Sequence, residues 1–112
     1  MRDKDYRLYV HDILEAITSI QEYMGDLTFE QFTKDKKTID AIIRNFAIIG
    51  EAAKNIPDSV KREHPEIEWK RMTGMRDKLI HEYHGISLKV VWDTTKTDLT
   101  TSKPLLEQLL NN

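Results

Sequence analysis

Apolar positions along this chain recur at steps of three and four, the spacing of helices and not of strands. Tyr6, Val10, Ile13, Ile17, Ile20 and Met24 alternate steps of four and three, which places them on one stripe of a helix predicted from about Lys4 to Met24. So strict a spacing has the form of a bundle seam. Gly25-Asp26 ends this helix, and Thr28-x-x-Gln31 has the form of a capping box opening a short one. A second long helix is predicted from about Thr38 to Asn55, with Ile39, Ile42, Ile43, Phe46, Ile49, Gly50 and Ala53 on one broad face. Ala41, Ala47, Ile48 and Ala52 extend that face nearly all the way round. A helix apolar on most sides is buried on most sides, so this one is either central or part of a subunit interface. Gly50, having no side chain, permits close approach of another backbone.

Pro57 suits the first turn of a further short helix reaching about His64, and Pro65 interrupts the pattern. A third long helix covers about Trp69 to Tyr83 and is ended by Gly85. Ser87 is a good N-cap for the last helix, which carries Leu88, Val91, Trp92, Thr95 and Leu99. Pro104 lacks a backbone donor and clashes one turn back, so a kink or break is expected near Thr100 to Lys103. Leu105, Leu106, Leu109 and Leu110 then form a terminal apolar patch. The expected fold is all-α, an up-and-down bundle of four to five helices forming a single domain over residues 1–112.

Composition narrows the function classes. The net charge of −2 disfavours a protein that coats duplex nucleic acid, which is expected to be basic. The absence of cysteine excludes disulfides, thiol chemistry and cysteine-ligated zinc. No apolar run reaches ~18 residues, so no membrane helix is expected. The opening Met1-Arg2-Asp3-Lys4-Asp5 leads into an amphipathic pattern without the apolar core of a secretion signal, and the absence of cysteine makes a reducing cytoplasm the natural reading. One segment departs from the acidic balance. Between Lys61 and Lys78 basic residues outnumber acidic ones by two, an excess that a solvated face would also produce.

The chemistry concentrates in Gly74-Met75-Arg76-Asp77-Lys78-Leu79-Ile80-His81-Glu82-Tyr83-His84-Gly85. At ~100° per residue, Arg76, Leu79, Ile80 and Tyr83 share one stripe. Leu79 and Ile80 are expected in the core, which puts Arg76 on or beside a packed face, a costly place for a charge without a partner. Either it sits at the edge of the fold, or it faces a partner or an anionic ligand. His81 lies ~140° round the same helix, so Arg76 and His81 do not converge within one regular helix. Convergence calls for the symmetry-related helix of a second subunit or a distortion at the helix end. Asp77, four residues before His81, is placed to accept a ring N–H from it, which would set the tautomer and raise basicity.

These residue types suit cleavage of RNA, whose 2′-hydroxyl is a built-in nucleophile. Such cleavage needs a group to take that proton, a donor for the leaving oxygen and positive charge on the phosphorane. Histidine titrates near neutrality, and the arginine fork matches phosphate oxygens. The scheme needs no metal or other cofactor. Taken singly, the same residues read as a capping or paired arginine, a surface histidine and a core tyrosine. A metal reading pairs His81 with His84, with Glu82 nearby, but no third ligand is evident. His11 and His64 stand isolated.

Arg76-x4-His81-x-Tyr83 is an intact R-x4-H-x-Y motif, and on the third long helix of a small helical chain it closely resembles the HepT-like branch of the HEPN superfamily. The stretch from Arg44 to Ala52 resembles that branch's central helix, Trp69 to Ser87 its motif helix and following turn, and Val91-Trp92-Asp93 its final helix. The likeness thus covers nearly the whole chain. It implies a cytoplasmic, metal-independent endoribonuclease toxin of a toxin–antitoxin pair, acting as a helical homodimer with a composite site in the interface cleft. On that resemblance Arg76 binds and stabilises the phosphate, His81 is the acid/base, and Asp77 supports them. The implied partner is a nucleotidyltransferase-fold antitoxin able to transfer AMP to Tyr83, where a bulky anion beside Arg76 would block RNA. Arg44 and Glu51, seven apart on the central helix, share a face; Arg44 could add phosphate charge near the cleft, or the two could be a buried polar pair at the interface. Two other readings compete: a non-catalytic HEPN module that binds a nucleotidyltransferase or a nucleotide in the same cleft, and a purely structural helical dimer. The second gives no reason for Arg76 on a packed stripe.

Overall fold

The computed structural model describes residues 5–81 and 87–111, with side chains at all of these except 79–81. Every regular element among them is helical. In chain order these are α1 (Tyr6–Met24), α2 (Phe29–Thr33), α3 (Lys36–Lys54), α4 (Asp58–Glu63), α5 (Trp69–His81), α6 (Leu88–Asp93), a π-helical turn (Thr94–Asp98) and α7 (Leu99–Leu110).

The helix ends follow from local chemistry. Asp5 accepts the Arg7 amide at 3.0 Å and starts α1. Gly25 stops it at φ 47°, a backbone conformation that favours glycine, while its own N–H closes on the Gln21 carbonyl. The capping box at Thr28 forms in both directions, with Gln31 N to Thr28 Oγ1 at 3.1 Å and Thr28 N to Gln31 Oε1 at 2.9 Å. α3 begins two residues earlier than the apolar pattern suggests, because Asp35 caps it by accepting the Thr38 amide at 3.0 Å and the Thr38 hydroxyl at 2.8 Å. The Thr38 backbone N–H, then its hydroxyl, hold the Asp35 carboxyl below the usual carboxylate range. Pro57 is the cap of α4 and not its first residue, and Ser87 caps α6 through the Val90 amide.

The seam read along α1 is the core of the bundle. Val10, Ile13, Ile17, Ile20 and Met24 are buried, and Tyr6 at the end is partly so. They pack against α3, which is central: it meets α1 on one side and α5 on another, with α2 across it. Ile42, Phe46, Ile49, Gly50, Ala52 and Ala53 of α3 are buried, and α7 adds Leu99, Leu106 and Leu109. Burying each large aliphatic side chain stabilises by about 1.5–3 kcal/mol. α3 is not buried all round, however. Arg44, Ile48 and Glu51 are exposed along its remaining face, Ile48 by 38%, and Ala47 is half-buried.

The last rod departs from expectation. α6, the π turn and α7 follow one another without a gap, and α7 continues straight through Pro104, so no break falls at Thr100 to Lys103. The irregularity lies upstream, where the Leu99 amide reaches back five residues to the Thr94 carbonyl. Within the rod the buried Thr95 hydroxyl donates to the Val91 carbonyl at 3.0 Å, and from α5 Arg71 Nη1 donates to Asp98 at 2.8 Å. The fold is all-α as expected, and α2 and α4 are the two short helices anticipated at Thr28 and after Pro57. α5 is described as far as His81; Tyr83 and the expected stop at Gly85 lie outside the described residues.

Candidate active site at the α3–α5 crossing

The site starts from a glycine. Gly50 lies in the interior of α3, where glycine costs helix stability, and it is buried against α5. A Cβ placed on it would collide with Cβ of Arg76 and come within 2.9 Å of the Met72 carbonyl oxygen. The missing side chain is therefore what lets the two helices meet here, and Arg76 is the residue seated on the vacant spot.

Its stem covered by α3, Arg76 is 25% exposed and carries its guanidinium out to the edge of the crossing. There Nη2 meets Glu51 Oε1 at 3.0 Å, and Nη1 meets Asp77 Oδ1 at a longer 3.4 Å. Of the alternatives open for an arginine on this stripe, the structure realises the edge position with acidic partners. Both carboxylates are more than half exposed, so these pairs lie at the solvent boundary and not in a dry interior.

An open groove of about 490 Å³ runs along this edge. Its floor is apolar, with Ala47, Ile48 and Ala52 of α3. Arg44, Glu51 and Arg76 stand on one side, and Tyr9 and Asp12 of α1 line it as well. The expected shared face of Arg44 and Glu51 is thus real, and it is the face that also holds Arg76. The buried Arg44–Glu51 pair is not: both residues are exposed, and among the described residues Glu51 is paired with Arg76 instead. The reason is that α5 reaches Glu51 through the Gly50 notch, whereas Arg44 is two turns away along α3.

The side chain of His81 lies outside the described residues, although its backbone is helical and part of α5. Its contact with Asp77 therefore lies outside them too, as do Tyr83 and the His81–His84–Glu82 metal reading. Of the sequence-derived candidates, the structure brings together Arg76, Asp77, Glu51 and Arg44. It adds Tyr9 and Asp12, which periodicity did not single out because they sit beside the α1 seam and become part of the groove only when α1 packs on α3. Gly50 had a visible signal, a glycine inside a strongly helical stretch.

An arginine fork beside an open, apolar-floored groove, one turn and a half from a histidine on the same helix, is suited to an extended phosphate-bearing ligand. The ribonuclease HepT-like family matches residues 13–109. This chain belongs to that family. The HepT-like relatives it resembles include a protein of Thermococcus cleftensis named "Probable ribonuclease HepT", 49% identical over 106 residues, covering 95% of this chain and 96% of the relative. A relative from Methanocaldococcus jannaschii, named provisionally as an RNase, is 39% identical over 112 residues, covering 100% of this chain and 93% of its own. Another from Caldanaerobacter subterraneus subsp. tengcongensis, likewise named provisionally as an RNase, is 36% identical over 107 residues, with 96% of each chain covered. No solved structure matches the chain. Among the described residues, no helix is long and apolar enough to cross a membrane.

Proposed function

We propose that this HepT-like chain is a metal-independent endoribonuclease, the cytoplasmic toxin of a toxin–antitoxin pair. The observation that carries the reading is Arg76, seated by Gly50 at the edge of an open groove on the same helix as His81. In the reaction His81 takes the proton of the RNA 2′-hydroxyl, the 2′-oxygen attacks phosphorus, and the 5′-oxygen leaves with a proton. Arg76 bears the growing phosphorane charge through its planar fork. The products are a 2′,3′-cyclic phosphate and a 5′-hydroxyl end.

Two copies make the site complete in this reading, because Arg76 and His81 point ~140° apart on one regular helix. The exposed strip that includes Ile48, together with Leu8, 49% exposed on α1, supplies apolar surface for such pairing. Each copy then contributes one His81, one serving as base and the other as acid. The RNA substrate and a nucleotidyltransferase-fold antitoxin are the partners, and no cofactor takes part.

Purified protein should cut RNA in excess EDTA, and His81→Ala should not. Equal cutting by His81→Ala would remove His81 from the mechanism. Absence of cutting by either protein, with folded dimers verified, would favour a binding module, a reading that gains some support from the acidic partners already on the Arg76 fork. Neutralisation is proposed to include AMP transfer to Tyr83. Tyr83→Phe should fold normally yet gain no AMP mass when incubated with the antitoxin and ATP, whereas the parent gains it; a matching mass increase on the Phe variant would move the modification elsewhere.

A further inference from the structure

We infer that Glu51 is the positioning residue of the site: it supplies rate by fixing the Arg76 fork and does so at the expense of RNA affinity. The inference rests on the ribonuclease reading above. Consider what orients the guanidinium. Asp77 sits on α5 next to Arg76, so it moves with the helix and cannot set the fork relative to the rest of the protein. Glu51 belongs to α3, and its 3.0 Å contact is the one charged contact among the described residues that ties the fork to another element. Glu51 also follows Gly50 directly. A single step of α3 thus provides both the notch that receives the Arg76 stem and the carboxylate that holds its far end.

The choice of an acid here is informative. Glu51 is 57% exposed and lines the groove that the proposed RNA would follow, so its charge repels phosphates. A residue serving affinity would be neutral or basic, as Arg44 is in the same groove. What a carboxylate offers instead is a charged anchor on another helix: the 3.0 Å ion pair restrains one edge of the fork and leaves its free N–H groups toward a phosphate. Misplacing a group that must meet the transition state by about 1 Å can cost roughly 100-fold in rate. Removing one like charge a few ångströms from a phosphate in water is worth about fivefold in binding.

Glu51 therefore carries opposite signs in the two kinetic constants, which a residue serving stability alone would not. The test compares parent, Glu51→Ala, Glu51→Gln and Arg76→Ala by single-turnover cleavage of one RNA over a range of protein concentrations. Binding of the same RNA blocked by 2′-O-methyl groups is measured in parallel. Glu51→Ala should lower the maximal rate by about 10- to 100-fold while binding the blocked RNA about fivefold tighter. Glu51→Gln, which keeps a polar group of the same reach beside Nη2, should bind like the Ala variant but recover most of the rate. An unchanged rate in Glu51→Ala, or a rate and an affinity that worsen together in both variants, would overturn the inference. If the parent cuts RNA and Arg76→Ala does not, such a failure belongs to Glu51 alone. If the parent cuts no RNA, the ribonuclease reading fails and this inference falls with it.

Discussion

Arg76→Ala is expected to reduce RNA cleavage by about 100- to 1,000-fold, the range seen when a single preorganised donor to a developing oxyanion is removed. The fold should be unaffected, for reasons visible at the crossing. Alanine keeps the Cβ that rests in the Gly50 notch, so the closest α3–α5 contact survives. The partners left behind, Glu51 and Asp77, are more than half exposed and regain water, so no charge is stranded in the interior. Helical circular dichroism and Tm should match the parent while the rate collapses. Arg76→Lys keeps the charge but replaces a planar fork with a point donor, and should recover only part of the loss. Parental cleavage by Arg76→Ala would eliminate the phosphate-binding role; a large fall in Tm would instead mean that the ion pairs hold α5 in place.

The second large effect concerns two glycines of opposite character. Gly50→Ala gains about 1 kcal/mol of helix propensity, as any glycine-to-alanine change in a helix interior does. Against this stands a collision with two unyielding atoms, Cβ of Arg76 and the Met72 carbonyl oxygen, neither of which can swing away as a side-chain tip could. Overpacking of this sort costs about 1–3 kcal/mol, and with backbone as the obstacle the upper part of that range applies. The net expectation is a loss of about 1–2 kcal/mol, a fall in Tm of roughly 5–10 °C. Cleavage should fall too, since α5 must shift and Arg76 with it. Gly74, in α5, is the control: a Cβ there meets nothing within 4 Å, so Gly74→Ala should stabilise by about 0.5–1 kcal/mol. Thermal unfolding of both variants beside the parent reads the signs directly. If Gly50→Ala is as stable as Gly74→Ala, the close crossing of α3 and α5 is not what holds this site together.

Much of the architecture could be read before any coordinates. The seam from Val10 to Met24, the capping box at Thr28, the glycine stop at Gly25 and the Ser87 cap all appear where local chemistry puts them. Each depends on residues three or four apart, and such neighbours meet in any helix whatever surrounds it. Pro104 shows the limit of the same reasoning. A proline disrupts a helix locally, but whether the rod breaks depends on what packs against it, and here the rod runs on through Pro104 while the distortion lies at Thr94–Asp98, where Arg71 of α5 pairs with Asp98.

The site divides along the same line. Periodicity alone put Arg76 on a packed stripe and Arg44 and Glu51 on a common face, because angular position on a helix is a property of spacing. It could not say that these faces belong to one groove, that Glu51 reaches Arg76 and Arg44 does not, or that Tyr9 and Asp12 of α1 share the opening. Those facts need the distance between helices and their relative rotation. Both are set by side-chain volumes at the crossing, and here by the one volume that is missing, at Gly50. The sequence by itself determined which residues share a helix face and several of the helix ends, at Gly25, Thr28 and Ser87, since those follow from contacts within a turn. Only the tertiary structure decided which faces meet, because that is settled by packing between segments far apart in the chain.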